Sequence, residues 1–345
     1  MKYPVLWATS ALIAVVAVSG FAVARQERGE PGVSLAHDVV AAASAFETYT
    51  RGAGSISAAF ESGGGVADAL AKGAAYQPQQ LDAGMIAYGA IAALQEQAFI
   101  DGVRQAARET SEQALIERLE ANPESVLEID GVGAAAGRAQ AALLKRGAPL
   151  GVTGKAVKKA AYDIQRQDWS KGTIVDAAGR LAKVKAVSAV FFIPGDDDAG
   201  RLIQAATAPR EGDAFNGGGE GGAAFTPVTT RAAALAALAV LGAAGDDDVD
   251  GLDKVMHDER SGQCMKMAKL NLYQCLAVAG PHYEDVFCLG QHALIDTAQC
   301  VNEAAGGGAL PTAAPGPAAR PSRGFTIPVA GQAVAAMSSP IPVGN

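Results

Sequence analysis

The feature that most constrains this chain is the placement of its cysteines. All four of the cysteines in the 345 residues fall within one short span: Cys264, Cys275, Cys288 and Cys300. The inner pair and the outer pair are both centred near residue 282, where the chain reads Gly280-Pro281. Glycine commonly follows the end of a helix, and proline favours the first turn of the next. The symmetry therefore predicts two antiparallel helices that meet at this turn, with Glu284 and Asp285 in the first turn of the second helix, where acids suit the helix dipole.

Cysteines equidistant from such a turn face each other, which selects one of the three connectivities that four cysteines allow. The predicted pairing is nested: Cys264–Cys300 outside Cys275–Cys288. The spacing leaves one irregularity. Cys264 and Cys275 are 11 positions apart and share a helix face, because 11 residues make about three full turns, whereas Cys288 and Cys300 are 12 apart and lie about 100° further round. We therefore expect a local distortion or a frayed helix end before Cys300.

The arrangement resembles the twin-cysteine helical hairpin of CHCH-type proteins over residues 264–300. The intervals here hold ten and eleven intervening residues, where that family has nine. The resemblance is a shared geometry and implies a crosslinked helical hairpin.

Metal binding is the alternative explanation of this span. Cys275, Cys288, His292 and His282 are candidate zinc ligands, because Cys288 and His292 are four residues apart on one helix face and His282 lies at the turn. The nested spacing and an oxidising compartment explain the cysteines without zinc.

The first residues predict that compartment. Residues 1–24 hold Lys2, a long uncharged run and an Ala22-x-Ala24 ending, which is typical of a secretory signal peptide. Retention of residues 3–24 as a membrane anchor is the alternative, because the run is long enough to span a bilayer. Both interpretations place the body of the protein outside the cytoplasm, in the periplasm or secreted.

Most of the remaining chain predicts helices. Apolar residues recur at three- and four-residue steps in segments separated by glycine and proline, and alternation with β-branched residues is nearly absent. The expected helical segments are 35–49, 65–76, 81–109, 111–121, 154–169 and 175–192. Only Val126–Ile129 and Ala189–Ile193 have the character of short strands.

We expect an all-α fold: a bundle-like helical domain over 34–212, a helical module with the disulfide hairpin over 225–303, and a flexible Pro/Gly/Ala-rich tail over 304–345. The glycine-rich stretch 212–223 is the expected seam between the domain and the module.

Two further motifs invite a functional interpretation. Asp246, Asp248 and Asp250 with Gly251 resemble the opening of an EF-hand calcium loop, but His257 stands at the twelfth position, where a bidentate glutamate is required. Residues 126–137, with a Gly-Val-Gly core, resemble a helix-hairpin-helix element, which would bind DNA phosphates through the glycine turn. A glycine turn between close-packed helices is the simpler interpretation.

Composition limits the function. The net charge of −8 disfavours a broad nucleic-acid surface, since phosphate neutralisation requires clustered Lys and Arg. The sequence lacks a His-Glu-x-x-His site, a Gly-x-Ser-x-Gly elbow and a phosphate loop. We therefore predict a non-catalytic structural or binding component of the cell envelope with no cofactor, whose partner is another envelope component. The alternatives are an envelope hydrolase that uses carboxylates and a helix-hairpin-helix DNA binder.

Overall fold

The computed structural model describes residues 33–207 and 225–308 of the chain. The predicted signal peptide (1–24), the glycine-rich stretch (212–223) and the tail from residue 309 onward lie outside these described residues. The helices are α1 (His37–Gly54), α2 (Gly63–Ala74), α3 (Pro78–Ala93), α4 (Gln97–Glu109), α5 (Glu112–Ala121), α6 (Val132–Asp163), α7 (Asp168–Lys171), α8 (Ala177–Ala189), α9 (Asp196–Thr207), α10 (Pro227–Val240), α11 (Val249–Leu252), α12 (Glu259–Val278), α13 (His282–Cys288) and α14 (Asp296–Ala304). Short 3₁₀ segments cover Pro123–Glu128, Ile164–Arg166 and Asp246–Asp248, and Leu289–Ile295 is π-helical.

The all-α prediction is confirmed: the described part of the chain contains no strand, only an isolated bridge between Thr173 and Pro281. Val126–Ile129 falls mostly in a 3₁₀ turn, and the run from Ala189 to Ile193 leaves α8 as irregular backbone. Neither run pairs with a strand among the described residues, so their β-propensity has no effect.

Helix α3 occupies the centre of the fold. All of its residues from Leu81 to Ala93 are buried, and it packs against α1, α6, α10 and α12. Small residues allow these helices to approach closely: a Cβ at Gly84 would lie 2.5 Å from the carbonyl oxygen of Ala42 in α1. The alanine- and glycine-rich composition is therefore the means by which this core packs.

Two predicted helix boundaries were wrong. The apolar pattern of 81–109 is divided between α3 and α4, because the chain turns after Leu94 and Glu96 starts a new helix. The segment predicted to begin near Gly154 is the second half of α6, which starts at Val132 and continues through Pro149. Proline removes one hydrogen bond from a helix interior, but here the surrounding helices hold α6 continuous.

The predicted hairpin is confirmed. Helix α12 ends at Val278, α13 begins directly after Pro281, and Glu284 and Asp285 lie in its first turn. The disulfides are Cys264–Cys300 and Cys275–Cys288, each with its Cα atoms 5.7 Å apart. The π-helical segment lies between Cys288 and Cys300 and supplies the local distortion that the spacing required, because a π turn accommodates an extra residue.

The division at residues 212–225 stays a prediction. Helices from both sides of it contribute to one hydrophobic core, which extends from Ala36 to Ala305. The hairpin and its π-helical segment pack on α6. Across the described ranges, no helix is both long and apolar enough to cross a membrane.

Candidate binding site

An open cleft lies where α1, α3 and the segment before α12 meet the chain that leaves α8. Its volume is about 910 Å³, within the range of small-molecule sites. Most lining side chains are apolar, among them Val39, Phe191, Ile193, Leu252 and Met256. The lining residues include no lysine or arginine. The cleft therefore offers mainly apolar surface to a ligand.

Residues 191–194 form one wall of this cleft, and the Gln80 side chain holds the backbone of Phe192 in place. The Gln80 amide donates to the Phe192 carbonyl at 2.8 Å and accepts from the Phe192 N–H at 2.8 Å. This pair of bonds satisfies the backbone of an extended segment that has no strand partner. The neighbouring side chains Phe191 and Ile193 are 57% and 83% exposed, so the wall presents apolar groups that the fold itself does not bury.

Phe192 also separates the cleft from a smaller cavity of about 250 Å³. Tyr49 and Tyr76 line this cavity, and their rings lie 4.7 Å apart. The Tyr49 hydroxyl donates to the carbonyls of Gly73 and Ala293 at 3.1 and 3.2 Å. The hydroxyls of the two tyrosines are thus already bonded, whereas the Thr48 hydroxyl, which also lines this cavity, is buried and has no hydrogen-bond partner among the described residues.

The polar end of the cleft is built around Asp82, a buried carboxylate of α3. It accepts hydrogen bonds from the Asp258 N–H at 3.1 Å and from the Ser261 hydroxyl, and His257 Nδ1 lies 3.4 Å from its Oδ2. The hydrogen bond to Asp82 raises the pKa of His257. His257 Nε2 lies 3.6 Å from Asp253 Oδ1 on the cleft side. Asp82 and His257 together can hold a proton on the imidazole. Ser261 bonds the Asp82 carboxylate and not the histidine, so these three residues lack the order of a serine triad.

Two other buried carboxylates serve as structural anchors. Glu47 of α1 pairs with Arg146 of α6 and Arg201 of α9. Asp285 pairs with Arg180 at 2.6 Å, and both of these side chains are buried. A buried carboxylate held by arginine is already neutralised, which leaves Asp82 as the desolvated carboxylate next to the cleft.

A buried amine joins α12 to α2 and α8. Lys269 Nζ donates to the Ala74 carbonyl at 2.7 Å and to the Ser188 hydroxyl at 3.2 Å, and lies 3.3 Å from the centre of the Tyr76 ring. Burial lowers the pKa of Lys269 well below its usual range. Neither Lys269 nor Ser188 lines the cleft, so we assign this group a structural role.

The structure assigns the candidate zinc ligands to other contacts. Cys275 and Cys288 are bonded to each other. His282 packs against Gly63 and lies beside Trp169, with ring centres 6.3 Å apart. His292 Nδ1 lies 2.8 Å from Asp296 Oδ2.

The calcium candidates are likewise dispersed. Asp246 Oδ1 accepts from the His37 N–H at 2.7 Å and thereby caps α1. Asp248 ends a 3₁₀ turn, and the Asp250 side chain is outside the described atoms. Over the ranges 33–207 and 225–308, no three histidine, cysteine or acidic side chains form a group suited to a metal.

The two glycines of the helix-hairpin-helix resemblance differ in their packing. Gly131 has φ of 81° and begins α6, and a Cβ there would lie 2.5 Å from the Phe99 nitrogen of α4, as the simpler interpretation of a close-packed glycine turn requires. Gly133 is exposed, and a Cβ there would meet no atom within 4 Å.

Sequence reasoning missed Gln80 and Asp82, and considered His257 only as a replaced calcium ligand. A signal for Asp82 was present, because it is the one charged residue in the otherwise apolar stretch from Leu81 to Leu94, and a charge in such a stretch is a candidate for burial. No sequence signal marks Gln80.

Comparison of the chain with protein-family models, curated proteins and solved structures finds no match.

Proposed function

We propose that the protein is an exported, non-catalytic binding component of the cell envelope, and that its cleft takes a single-chain amphiphile. The observation that carries the proposal is the open apolar cleft with one polar end. The two disulfides support a location outside the cytoplasm, because they persist in oxidising compartments.

Charge selects the type of amphiphile. Asp38 and Asp253 line the cleft, and Asp82 lies behind His257. An anionic head group would face these carboxylates without a lysine or arginine to pair with. We therefore propose a ligand whose head group is uncharged or basic and whose hydrocarbon chain lies along Phe191, Ile193 and Met256.

Displacement of a neutral apolar fluorophore, N-phenyl-1-naphthylamine, tests this function. The probe should bind the wild-type protein with increased emission, and dodecyl maltoside below its micellar concentration should displace it, whereas dodecyl sulfate should do so only weakly. The double variant Phe191→Ser/Ile193→Ser should bind the probe weakly. Val175→Ser is the matched control, because Val175 is fully exposed at 102% and lies outside the cleft lining. Absence of probe binding, or equal loss in the control, refutes the proposal.

A second candidate function is supported by His257. A histidine hydrogen-bonded to a buried carboxylate at the edge of a cleft is suited to general acid–base catalysis. An envelope hydrolase of this kind should turn over ester or amide substrates, and His257→Gln should abolish the turnover without changing the unfolding midpoint. Turnover that persists in the variant removes this candidate.

A further inference from the structure

A third cavity lies at the turn of the disulfide hairpin, at the C-terminal end of α6. Its volume is about 410 Å³ and it shares no lining residue with the cleft. Three aromatic side chains line it, Tyr162, Tyr283 and Phe287, together with the carboxylate of Glu284. We call it the hairpin pocket. The Cys275–Cys288 disulfide is part of its wall.

Two of the rings stand nearly at right angles. The centres of Tyr162 and Phe287 are 6.2 Å apart and their planes make an angle of 77°. Tyr162 is 48% exposed. The two rings pack edge to face, and because Tyr162 is half-exposed, part of its ring stays open to a ligand.

The charges around the pocket favour a cation. Glu284 supplies a negative charge and is held in place, since its Oε2 accepts from the Gly280 N–H at 2.8 Å. The lining residues include no lysine or arginine. Lys158 is outside this lining; its Nζ lies 5.3 Å from the Phe287 centroid and donates to Gln291 Oε1 at 2.7 Å. Phe287 therefore already receives one cation on the α6 side, which leaves Tyr162, Tyr283 and Glu284 to receive another.

We propose that the hairpin pocket binds a quaternary ammonium group. Such a cation has no hydrogen to donate and a low cost of desolvation, and aromatic walls with an adjacent carboxylate recognise it through cation–π attraction. A primary ammonium requires hydrogen-bond acceptors on several sides, and two tyrosine rings with one carboxylate supply few of them. The group occurs on free choline and on phosphocholine lipids, and this shared chemistry is what the pocket recognises.

Titration calorimetry of the full-length, oxidised protein tests the proposal. Choline should bind, and its uncharged isostere 3,3-dimethyl-1-butanol should bind several-fold more weakly, because the two differ in charge and hardly in shape. Equal affinity for both compounds, or no measurable binding of choline, overturns the proposal.

Two variants locate the binding. Tyr162→Leu should weaken choline binding about 2- to 30-fold, the range for one lost cation–π contact. The matched control is Phe225→Leu, because Phe225 is 49% exposed and lies outside the pocket lining. Glu284→Gln should also weaken choline, since its amide oxygen can still accept from Gly280 while the charge is lost. If Tyr162→Leu binds choline like Phe225→Leu, with Glu284→Gln also unchanged, the hairpin pocket is not the site.

The source of the group is distinguished by competition. Vesicles of phosphatidylcholine, with phosphatidylglycerol vesicles as the reference, should displace choline if the pocket reads a lipid head group at a membrane surface. Displacement by soluble glycine betaine alone identifies a free metabolite. Because the cleft probe does not use these residues, loss of choline binding in Tyr162→Leu with intact fluorophore binding separates the two sites.

Discussion

Removal of the outer disulfide should destabilise the protein more than removal of the inner one, because it releases the longer loop. The two bonds close separations of 36 and 13 residues. With the chain-entropy relation for a crosslinked loop, these correspond to about 3.8 and about 2.9 kcal/mol at 25 °C. With the inner bond intact, the outer loop is shortened to roughly 24 residues, which lowers its contribution to about 3.4 kcal/mol.

The variants Cys264→Ala/Cys300→Ala and Cys275→Ala/Cys288→Ala make a matched comparison. Each pair has one fully buried cysteine, Cys300 or Cys288, and one that is partly buried. The loss of side-chain packing is therefore similar in both, and the difference reports the loop. Urea unfolding followed by circular dichroism gives the free energy of unfolding for each variant. If the inner variant loses as much free energy of unfolding as the outer variant, or more, loop closure does not explain the contribution of the outer disulfide, and the reasoning is refuted.

Three further predictions concern buried charge and capping. Burial lowers the pKa of Lys269 well below its usual range, so between that lowered pKa and the unfolded pKa of about 10.4 the unfolded chain binds more protons than the folded one, and stability rises with pH. Lys269→Met should remove that rise in the free energy of unfolding, whereas the exposed control Lys266→Met should keep it; equal pH slopes contradict this. Burial raises the pKa of Asp285 to about 6 despite the opposing effect of Arg180. Protonation of Asp285 therefore stabilises the folded state fully below the unfolded pKa of about 3.9, and this stabilisation is lost as pH rises through about 6. Arg180→Met should cost about 3–5 kcal/mol by leaving this carboxylate unpaired, and Arg180→Met/Asp285→Leu should recover most of the loss; no recovery argues against the ion pair. Ser111→Ala should cost about 1 kcal/mol, because the Ser111 hydroxyl accepts from the Ala114 N–H at 3.2 Å, and an unchanged urea midpoint contradicts the cap.

The helical fold could be predicted because its signals are local. Apolar periodicity identified α1, α2 and α5, and the Ser111 side chain caps the start of α5. The boundaries failed where tertiary contacts override local preference. The apolar pattern runs through Leu94 without a breaker, yet the chain turns there, and Pro149 interrupts neither the hydrogen bonding nor the packing of α6 as a whole.

The cleft could not be predicted, because its parts come from distant positions and carry ordinary residue types. Gln80 and Phe192 are 112 residues apart, and the Gln80 side chain bonds the backbone of Phe192, which leaves no trace in composition. Asp82 and His257 are 175 residues apart. The candidate metal residues failed for the opposite reason: their spacing suggested ligands, but Asp246 caps a helix and His292 pairs with the aspartate four residues later.

The extra residue between Cys288 and Cys300 also explains how the hairpin attaches to the rest of the protein. A regular helix would turn Cys300 about 100° away from Cys264, and the π-helical segment prevents this. The same segment carries the closest approach to α6: a Cβ at Gly290 would lie 2.5 Å from the Lys158 nitrogen, and Ile295 and Leu294 meet the place where Gly154 has no side chain. The π-helical segment thus has two effects. It allows Cys300 to face Cys264, and it packs the backbone of the hairpin against α6. The extra residue that the cysteine spacing revealed is therefore accommodated in the same π-helical segment that packs the crosslinked hairpin against α6.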